Sequence, residues 1–448
     1  MAYLTTAPRG TKDILPSESG KWQFLERELL DIAKEFGFRE IRIPTFEHTE
    51  LFDRSVGDTT DVVQKEMYTF TDKGGRSVTL RPEGTAGVAR AALEHGLLGD
   101  ALPLRVSYNI TCFRYEKPGS GRFREFHQFG VELYGASSPA ADSEVLALAH
   151  QCFHLLGLSK VVLEINSLGC KECRQRYIQA LLDYFGQHKD KLCGTCLERL
   201  EKNPLRVLDC KSPQDQKIAA GAPSILDYLC DDCKAHFQAV QRRLDAVGIP
   251  YRVEPTIVRG LDYYTRTVFE MVYTAPDGER VVCGGGGRYD GLIQELGGNP
   301  TEGIGFAIGL ERLLSVMEAN HCRFPEEKGC QLYIASIGEA AGIRAFQRTH
   351  GFRTLLRTED RNVQCDLVGR SVKAQMKYAN KIGAKYVLVL GDEELAKGEA
   401  VLKSMTGGGT RTVKLDIAEV DNAIGEMERS ASVAALEETK NTTEKGSE

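Results

Sequence analysis

The sequence predicts an α+β fold, an antiparallel sheet flanked by helices, and three observations carry that prediction. Short β-branched and aromatic runs recur as SVTLRP (77–82), LRVSYNITCF (104–113), VVLEINS (161–167), TVFEMVYT (267–274) and LYIAS (332–336), with helical or glycine-rich segments between them. Such interspersion favours antiparallel neighbours over a doubly wound parallel sheet. The stretch FRYEKPGSGRFREFHQFGVELYG (113–135) breaks at KPGSG between two strand-like runs, a hairpin signature. Finally, 448 residues with 42% hydrophobic and 27% charged content supply core for two or three domains.

Taken in order, Lys21 to Phe36 carries Phe24, Leu25, Leu29, Ile32 and Ala33 at helical spacing and stops at Gly37. FREIRIPTFEH (38–48) alternates through Phe38, Ile41, Ile43 and Phe46, but Pro44 predicts a broken or edge strand, suited to a subunit contact. Between Gly169 and Val247 the texture turns helical, as in CRQRYIQALLDYF and CKAHFQAVQRRLDAVG, which predicts an inserted helical subdomain. Strands and glycines return at Pro250, and HCRFPEEKGC (321–330) marks a linker. Beyond it, strand LYIAS, helix SVKAQMKYANKIG and strand KYVLVLG alternate as a small α/β unit. The segment from Ile343 to Leu367 spaces its apolar residues irregularly and predicts a loop or disturbed helix. No run of about 18 apolar residues is present, and MAYLTTAPRGTKD is no export signal, so a cytoplasmic protein without membrane insertion is expected. Thirteen cysteines then imply reduced thiols or metal ligation.

The net charge of −6 argues against a simple nucleic-acid binder, but the charge is unevenly spread. Residues 328–420 hold 15 Lys+Arg against 10 Asp+Glu, a surplus of 5, whereas 421–448 hold 3 against 7, a deficit of 4. A basic module therefore precedes an acidic end whose composition reads as a disordered tail.

Chemistry concentrates in four segments. On the hairpin, period-2 alternation puts Phe126, Gln128, Gly130 and Glu132 on one face, with Arg114 before the turn and Arg122 at its exit. That face can stack a base and orient an amine or imidazole beside guanidinium groups suited to phosphate. In VRGLDYYTRTVFE (258–270), Arg259 precedes Tyr263 and Tyr264, and the four glycines of VVCGGGGRYDGLI (281–293) permit close backbone approach. They form no Walker loop, since no Gly-Lys-Ser/Thr follows. GIGFAIGLERLL (303–314) runs from strand to helix and offers Glu311 and Arg312. In TLRPEGTAGVARA (79–91), Glu83 and Thr85 at a turn can hold an ammonium group.

Together these segments resemble a family. Residues 113–135 resemble motif 2 of class II aminoacyl-tRNA synthetases, GIGFAIGLERLL resembles motif 3, and FREIRIPTFEH through KEMYTF resembles motif 1. RGLDYYTRTVFE and GGGGRYDGL are similar to the two signature segments of the histidyl-tRNA synthetases, and TLRPEGT fits the same family. The resemblance covers residues 3 to 420. It implies a class II synthetase-like sheet with a C-terminal α/β anticodon-binding domain, for which the matching segment is residues 369–398, and a homodimer through the motif 1 region. It implies a catalytic domain at 1–169 and 249–325, a helical insertion at 170–248, an anticodon-binding domain at 326–424, and the tail at 425–448.

The implied activity is ATP-dependent attachment of L-histidine to tRNA(His) through a histidyl-adenylate, with Mg2+ accompanying ATP. By the same resemblance Arg114 holds the α-phosphate, Phe126 stacks adenine, Arg312 holds the outer phosphates and Arg122 assists. Glu83, Thr85 and Gln128 grip the histidine amino group, Glu132 and Tyr264 read the imidazole, and Leu261 and Tyr263 complete the histidine pocket. Arg259 bridges the histidine carboxylate and the α-phosphate, a permanent cation where negative charge develops. A synthetase-like regulatory subunit of ATP phosphoribosyltransferase is the alternative, but such relatives generally lack the anticodon-binding domain and parts of the arginine set, and this chain keeps Arg114, Arg122, Arg259 and Arg312. Cys170/Cys173, Cys193/Cys196 and Cys230/Cys233 are three CxxC pairs with Cys210 between them. Two such pairs can hold zinc, yet seven thiols do not divide into fours, so the preferred reading is apolar packing with no metal.

Overall fold

Pro16 opens the first helix, Pro16–Glu35, where its missing N–H costs nothing and its fixed φ suits the first turn. The helix buries Leu25, Leu29, Ile32 and Ala33, and Gly37 then takes a left-handed conformation that leads into the sheet. The structure is a computed structural model describing residues 4–56, 62–119, 121–210, 212–258, 263–326, 329–355, 362–407 and 409–445, with residues 56, 62, 64 and 432–445 described by backbone alone. It divides into two units, residues 1–325 and 326–448.

In the first unit eight strands form one sheet, in the order Arg39–Glu40, Leu104–Phe113, Glu125–Tyr134, Gly303–Gly309, Arg280–Arg288, Thr265–Thr274, Val161–Ser167, Tyr251–Val253. The two outermost strands pair in parallel and every interior pairing is antiparallel. The mixed sheet flanked by helices is the α+β class predicted. Alternation along Glu125–Tyr134 decides which layer covers which face. Phe129, Val131 and Leu133 pack with Leu25, Leu29, Val145 and Leu313 of the helical layer. On the opposite face Phe126 packs beside Tyr108, Ile110 and Cys112.

Pro44 interrupts FREIRIPTFEH as expected. Arg39–Glu40 borders the large sheet, while Phe46–His48 joins Ser77–Leu80 and Tyr68–Thr71 in a separate three-stranded sheet. The helical insertion builds helices Lys171–Gly186, Gly194–Lys202 and Pro213–Ala219 around Tyr177, Leu181, Phe185, Leu200, Val207 and Ile225, and its last helix, Asp231–Ala246, packs Phe237, Val240 and Leu244 into the main core of the first unit. Its last helix is pinned to the sheet by a buried polar network. His236 Nε2 lies 2.8 Å from Asp142 Oδ2, and Asp142 also accepts from Thr267 Oγ1 and from Arg288 Nε at 3.0 Å.

The second unit has a five-stranded sheet in the order Val363–Cys365, Leu332–Ser336, Tyr386–Leu390, Glu399–Ser404, Thr410–Lys414. The first three strands are parallel and the last two antiparallel. Here one prediction is corrected. Residues 343–355 belong to a regular helix, Glu339–Leu355, that buries Ala341, Ala345, Thr349 and Phe352. The stripe has helical spacing, but two alanines and a threonine carry most of it, and counting large apolar residues alone misses it. The rest of that segment up to residue 361 lies outside the described residues. The backbone of the predicted disordered tail is also helical, in Ile417–Lys445, since Val420, Ala423 and Ile424 bury its first turns and Glu, Ala and Lys favour continuation. Among the described residues, no helix is long and apolar enough to cross a membrane.

Candidate active site

Two consecutive cross-strand ladders place the hairpin residues. Gln128 lies between Ile110 and Gly309, Gly130 between Tyr108 and Ala307, and Glu132 between Val106 and Gly305. Beyond Gly303–Gly309 comes the glycine strand, with Gly285 opposite Ala307 and Gly287 opposite Gly305. The glycines keep this floor low. A Cβ on Gly305 would fall 2.0 Å from Glu132 Oε2, and one on Gly130 would fall 2.3 Å from Tyr108 Cζ. Over the floor opens a cavity of about 260 Å³ lined by Glu83, Thr85, Arg114, Phe126, Gln128, Tyr263, Tyr264, Tyr289 and Arg312, among others. Segments far apart in the chain thus converge on one hollow.

One end of the cavity is polar and built on buried carboxyl and hydroxyl groups. Glu132 is 1% exposed; its Oε1 accepts from Thr85 Oγ1 at 2.7 Å and Tyr108 hydroxyl at 3.1 Å, and its Oε2 accepts from the Tyr289 hydroxyl. Burial pushes its pKa up to about 8, against those hydrogen bonds and with help from the nearby Glu83 charge. It lies just behind the lining. Glu83 is also raised by burial, although its two oxygens accept the N–H groups of Thr85 and Ala86 at 2.7 and 2.8 Å, at the start of helix Thr85–Glu94. Tyr263 and Tyr264 lie with their rings tilted at 53° and 4.7 Å between centroids, and Tyr263 meets Tyr289 edge-on at 5.6 Å.

The other end is cationic. Arg114 Nε donates to the Pro82 carbonyl at 2.8 Å, which sets the guanidinium 5.3 Å from the Phe126 ring centroid. Arg312 donates from Nη1 to the Val282 carbonyl at 3.0 Å; burial first, then the nearby Arg122 charge, pull its pKa below the ordinary value. Gly121, in the left-handed region at φ +64°, passes over it so closely that a Cβ would meet Arg312 Cγ at 2.8 Å. Arg122 itself is exposed at the loop exit and lies off the cavity wall. Glu311, also in the lining, binds His127, through the backbone N–H at 3.0 Å and Nδ1 at 2.8 Å. Burial opposes a charge on His127, but the Glu311 contact prevails and raises its pKa.

Among the predicted residues the structure therefore gathers Arg114, Phe126, Gln128, Glu83, Thr85, Tyr263, Tyr264 and Arg312 at the cavity, with Glu132 beneath it. Arg259 and Leu261 lie outside the described residues. Sequence reasoning missed Tyr108 and Tyr289, two of the three hydroxyls that hold Glu132. Both had a signal: Tyr108 shares the parity of Ile110 and Cys112 on the hairpin, and Tyr289 lies two residues after the last of the four glycines.

A family model described as histidyl-tRNA synthetase matches residues 10–313, and one described as an anticodon binding domain matches residues 331–427. Among curated relatives, a histidine–tRNA ligase of Acetivibrio thermocellus is 53% identical over 413 residues, 92% of this chain and 98% of that one. One of Clostridium novyi is 49% identical over 92% of this chain and 96% of that one. Among solved structures, an apo histidyl-tRNA synthetase of S. aureus superposes with a TM-score of 0.77 at 37% identity, covering 95% of this chain and all of that one.

Proposed function

We propose roles for the site residues from the premise that this chain belongs to the histidyl-tRNA synthetase family and attaches histidine to tRNA with the use of ATP. The observation that carries the assignment is the polarity gradient along one cavity, from buried hydroxyl and carboxyl groups to guanidinium groups. Histidine takes the carboxyl end. Its ammonium group meets Glu83, Thr85 and Gln128, and its imidazole meets Tyr264 and the acceptor capacity Glu132 has left after its three hydroxyl partners. A ring N–H or an added positive charge draws the Glu132 proton away, so the ligand restores the carboxylate that burial disfavours. An apolar analogue leaves those groups unpaired and is rejected strongly. Tyr263 and Leu261 belong to the same pocket in this reading.

ATP takes the cationic end. Phe126 offers a ring to adenine, Arg114 meets the α-phosphate, Arg312 meets the outer phosphates, and Arg122 closes from the loop. Arg259 bridges the histidine carboxylate and the α-phosphate. Fixed cations there match charge that builds as the carboxylate attacks phosphorus, and the donated hydrogen bonds to Pro82 and Val282 hold two of them in position. Mg2+ accompanying ATP would meet Glu116 in the lining of the same end, since hard cations prefer carboxylate oxygen, and would supply charge neutralisation on the phosphates. No histidine base is needed for adenylate formation, and His127 is already engaged by Glu311.

The finer organisation follows from other features. The basic surplus of residues 328–420 supports anticodon contacts by the unit matched as an anticodon binding domain. Exposed Phe46 and Phe70 on the three-stranded sheet support a homodimer through that region. Free thiols support a cytoplasmic setting. The decisive test is histidine-dependent exchange of pyrophosphate into ATP. Arg259→Ala and Arg312→Ala are expected to abolish exchange while the folded dimer persists in sedimentation. Equal exchange with another amino acid, or histidine binding without exchange, overturns the assignment.

A further inference from the structure

Seven of the thirteen cysteines fall in the helical insertion, and the fold gathers them with one carboxylate into two sets of four. Cys170, Cys173, Cys230 and Cys233 form the first set; Cys193, Cys196, Cys210 and Asp215 form the second. Within each set the potential ligand atoms all lie within 4.8 Å of one another. We propose that each set binds one Zn2+ ion, so that the insertion carries two structural zinc sites.

The arithmetic that argued for packing without metal fails at Asp215. This residue is 1% exposed, lies outside every CxxC pair and completes the second set, so that seven thiols and one carboxylate divide into fours. Spacing agrees with a tetrahedral ion. Four ligands about 2.3 Å from zinc stand about 3.8 Å from each other. The sulfurs of Cys170 and Cys173 are 3.5 Å apart, and those of Cys193 and Cys210 are 3.9 Å apart. A disulfide draws its sulfurs to about 2.05 Å and joins two, which leaves the convergence of four unexplained.

The backbone around both sets points donors at the ligand atoms. The first cysteine of every CxxC pair sits just before a helix, at Lys171–Gly186, Gly194–Lys202 and Asp231–Ala246, and the second lies in its first turn, where N–H groups and the helix dipole favour negative charge. Cys230 N–H donates to Cys173 Sγ at 3.0 Å, Ser212 N–H donates to Cys210 Sγ at 3.4 Å, and Cys193 N–H donates to Asp215 Oδ2 at 3.2 Å. Such contacts orient ligands around a metal. Asp215 is a buried carboxylate held in place by the Cys193 N–H and Cys210 Sγ, which presents an oxygen ligand to the three sulfurs' common centre. Uptake releases the thiol protons to solvent and requires no redox partner.

Placement gives the sites a purpose. The first set ties the start of the insertion to the start of its last helix, closing a long loop at the sheet. Beside it, Leu168 N–H donates to the Arg266 carbonyl at 2.7 Å, and Arg266 N–H donates to the Gly169 carbonyl at 2.9 Å. Arg174 also donates to the Tyr264 carbonyl. The clamp therefore abuts the backbone that presents Tyr263 and Tyr264. The second set binds the short middle helices, whose small core gains a staple.

Metal analysis of full-length protein purified without chelator is expected to give about two zinc ions per chain. Cys170→Ser with Cys233→Ser should remove one, and Cys196→Ser with Asp215→Asn the other, each leaving the untouched set as an internal control. Because a variant can fail to fold, the unaltered protein is also titrated with a mercurial beside a zinc-sensitive dye; about two zinc ions per chain should appear as thiols are consumed. Zinc near zero, or iron in its place, overturns the proposal. A single ion overturns it for whichever set can be substituted without change in metal content.

Discussion

Glu132 and Asp142 are both sealed within the first unit, at 1% and 0% exposure, yet their protons are held in opposite ways. Burial acts on each in the same direction, towards the neutral acid. Around Glu132 the partners are hydroxyls of Thr85, Tyr108 and Tyr289, and the nearby charge is another carboxylate, Glu83, so burial wins and the pKa rises to about 8. Around Asp142 stand His236 and Arg288, whose hydrogen bonds and charge outweigh burial and hold it below the usual carboxylate range. The frame's carboxylate is already paired with a cation, whereas the pocket's carboxylate has hydroxyl partners and keeps an unmet demand for one. That difference separates a structural buried acid from one suited to a basic ligand.

The strongest way to break the comparison is Asp142→Ala, which leaves Arg288 fully buried with Asp290 and the Ala136 carbonyl as remaining partners. It should cost about 3–5 kcal/mol in chemical denaturation. A loss under about 1 kcal/mol would show that the network is incidental. Next comes Glu132→Gln, expected to leave stability at pH 7 within about 1 kcal/mol of the parent, since the native group is largely neutral there. Histidine-dependent exchange should nonetheless fall about 100-fold or more, corresponding to about 2.7 kcal/mol of transition-state stabilisation. Unchanged exchange removes Glu132 from the site. Gly130→Ala, which drives a Cβ into Tyr108, is expected to cost about 1–3 kcal/mol and to weaken histidine binding by shifting a Glu132 donor; isothermal titration and unfolding read the two effects separately.

The smallest effect, and the sharpest in sign, is on pH dependence. Between the ordinary carboxylate value of 4.5 and about 8, native Glu132 binds a proton that the unfolded chain releases. Its contribution is therefore fully present below the unfolded value and is lost as pH rises through the folded one, by on the order of 1 kcal/mol per pH unit. Unfolding curves of the parent and Glu132→Gln between pH 6 and 8 should diverge with that sign, the parent losing more. Asp142 has the reverse linkage: its contribution stands above the unfolded value of 3.8 and is lost as pH falls through the lowered folded value. A parent curve that rises relative to Glu132→Gln from pH 6 to 8 contradicts the assignment.

Much of the pocket was legible because each motif is local. The hairpin's parity, the strand-to-helix step at Gly309 and the turn at Glu83 are set by neighbours in sequence. The helix Glu339–Leu355 was misread because a narrow stripe of small residues is enough when a sheet covers it. Tyr108 and Tyr289 were overlooked because a hydroxyl's partner is fixed by register and not by spacing.

By itself the sequence determined the α+β class, the family motifs, the hairpin's two faces and the helical character of the insertion, since these follow from periodicity, turn residues and short-range sterics. Only the tertiary structure decided that Glu132 lies under the floor among three hydroxyls, that Asp142 pairs with Arg288 and His236, and that Asp215 joins three thiols. Those relations join residues from separate segments. Burial and charge at such points depend on every group the fold brings near, and no local pattern encodes their sum.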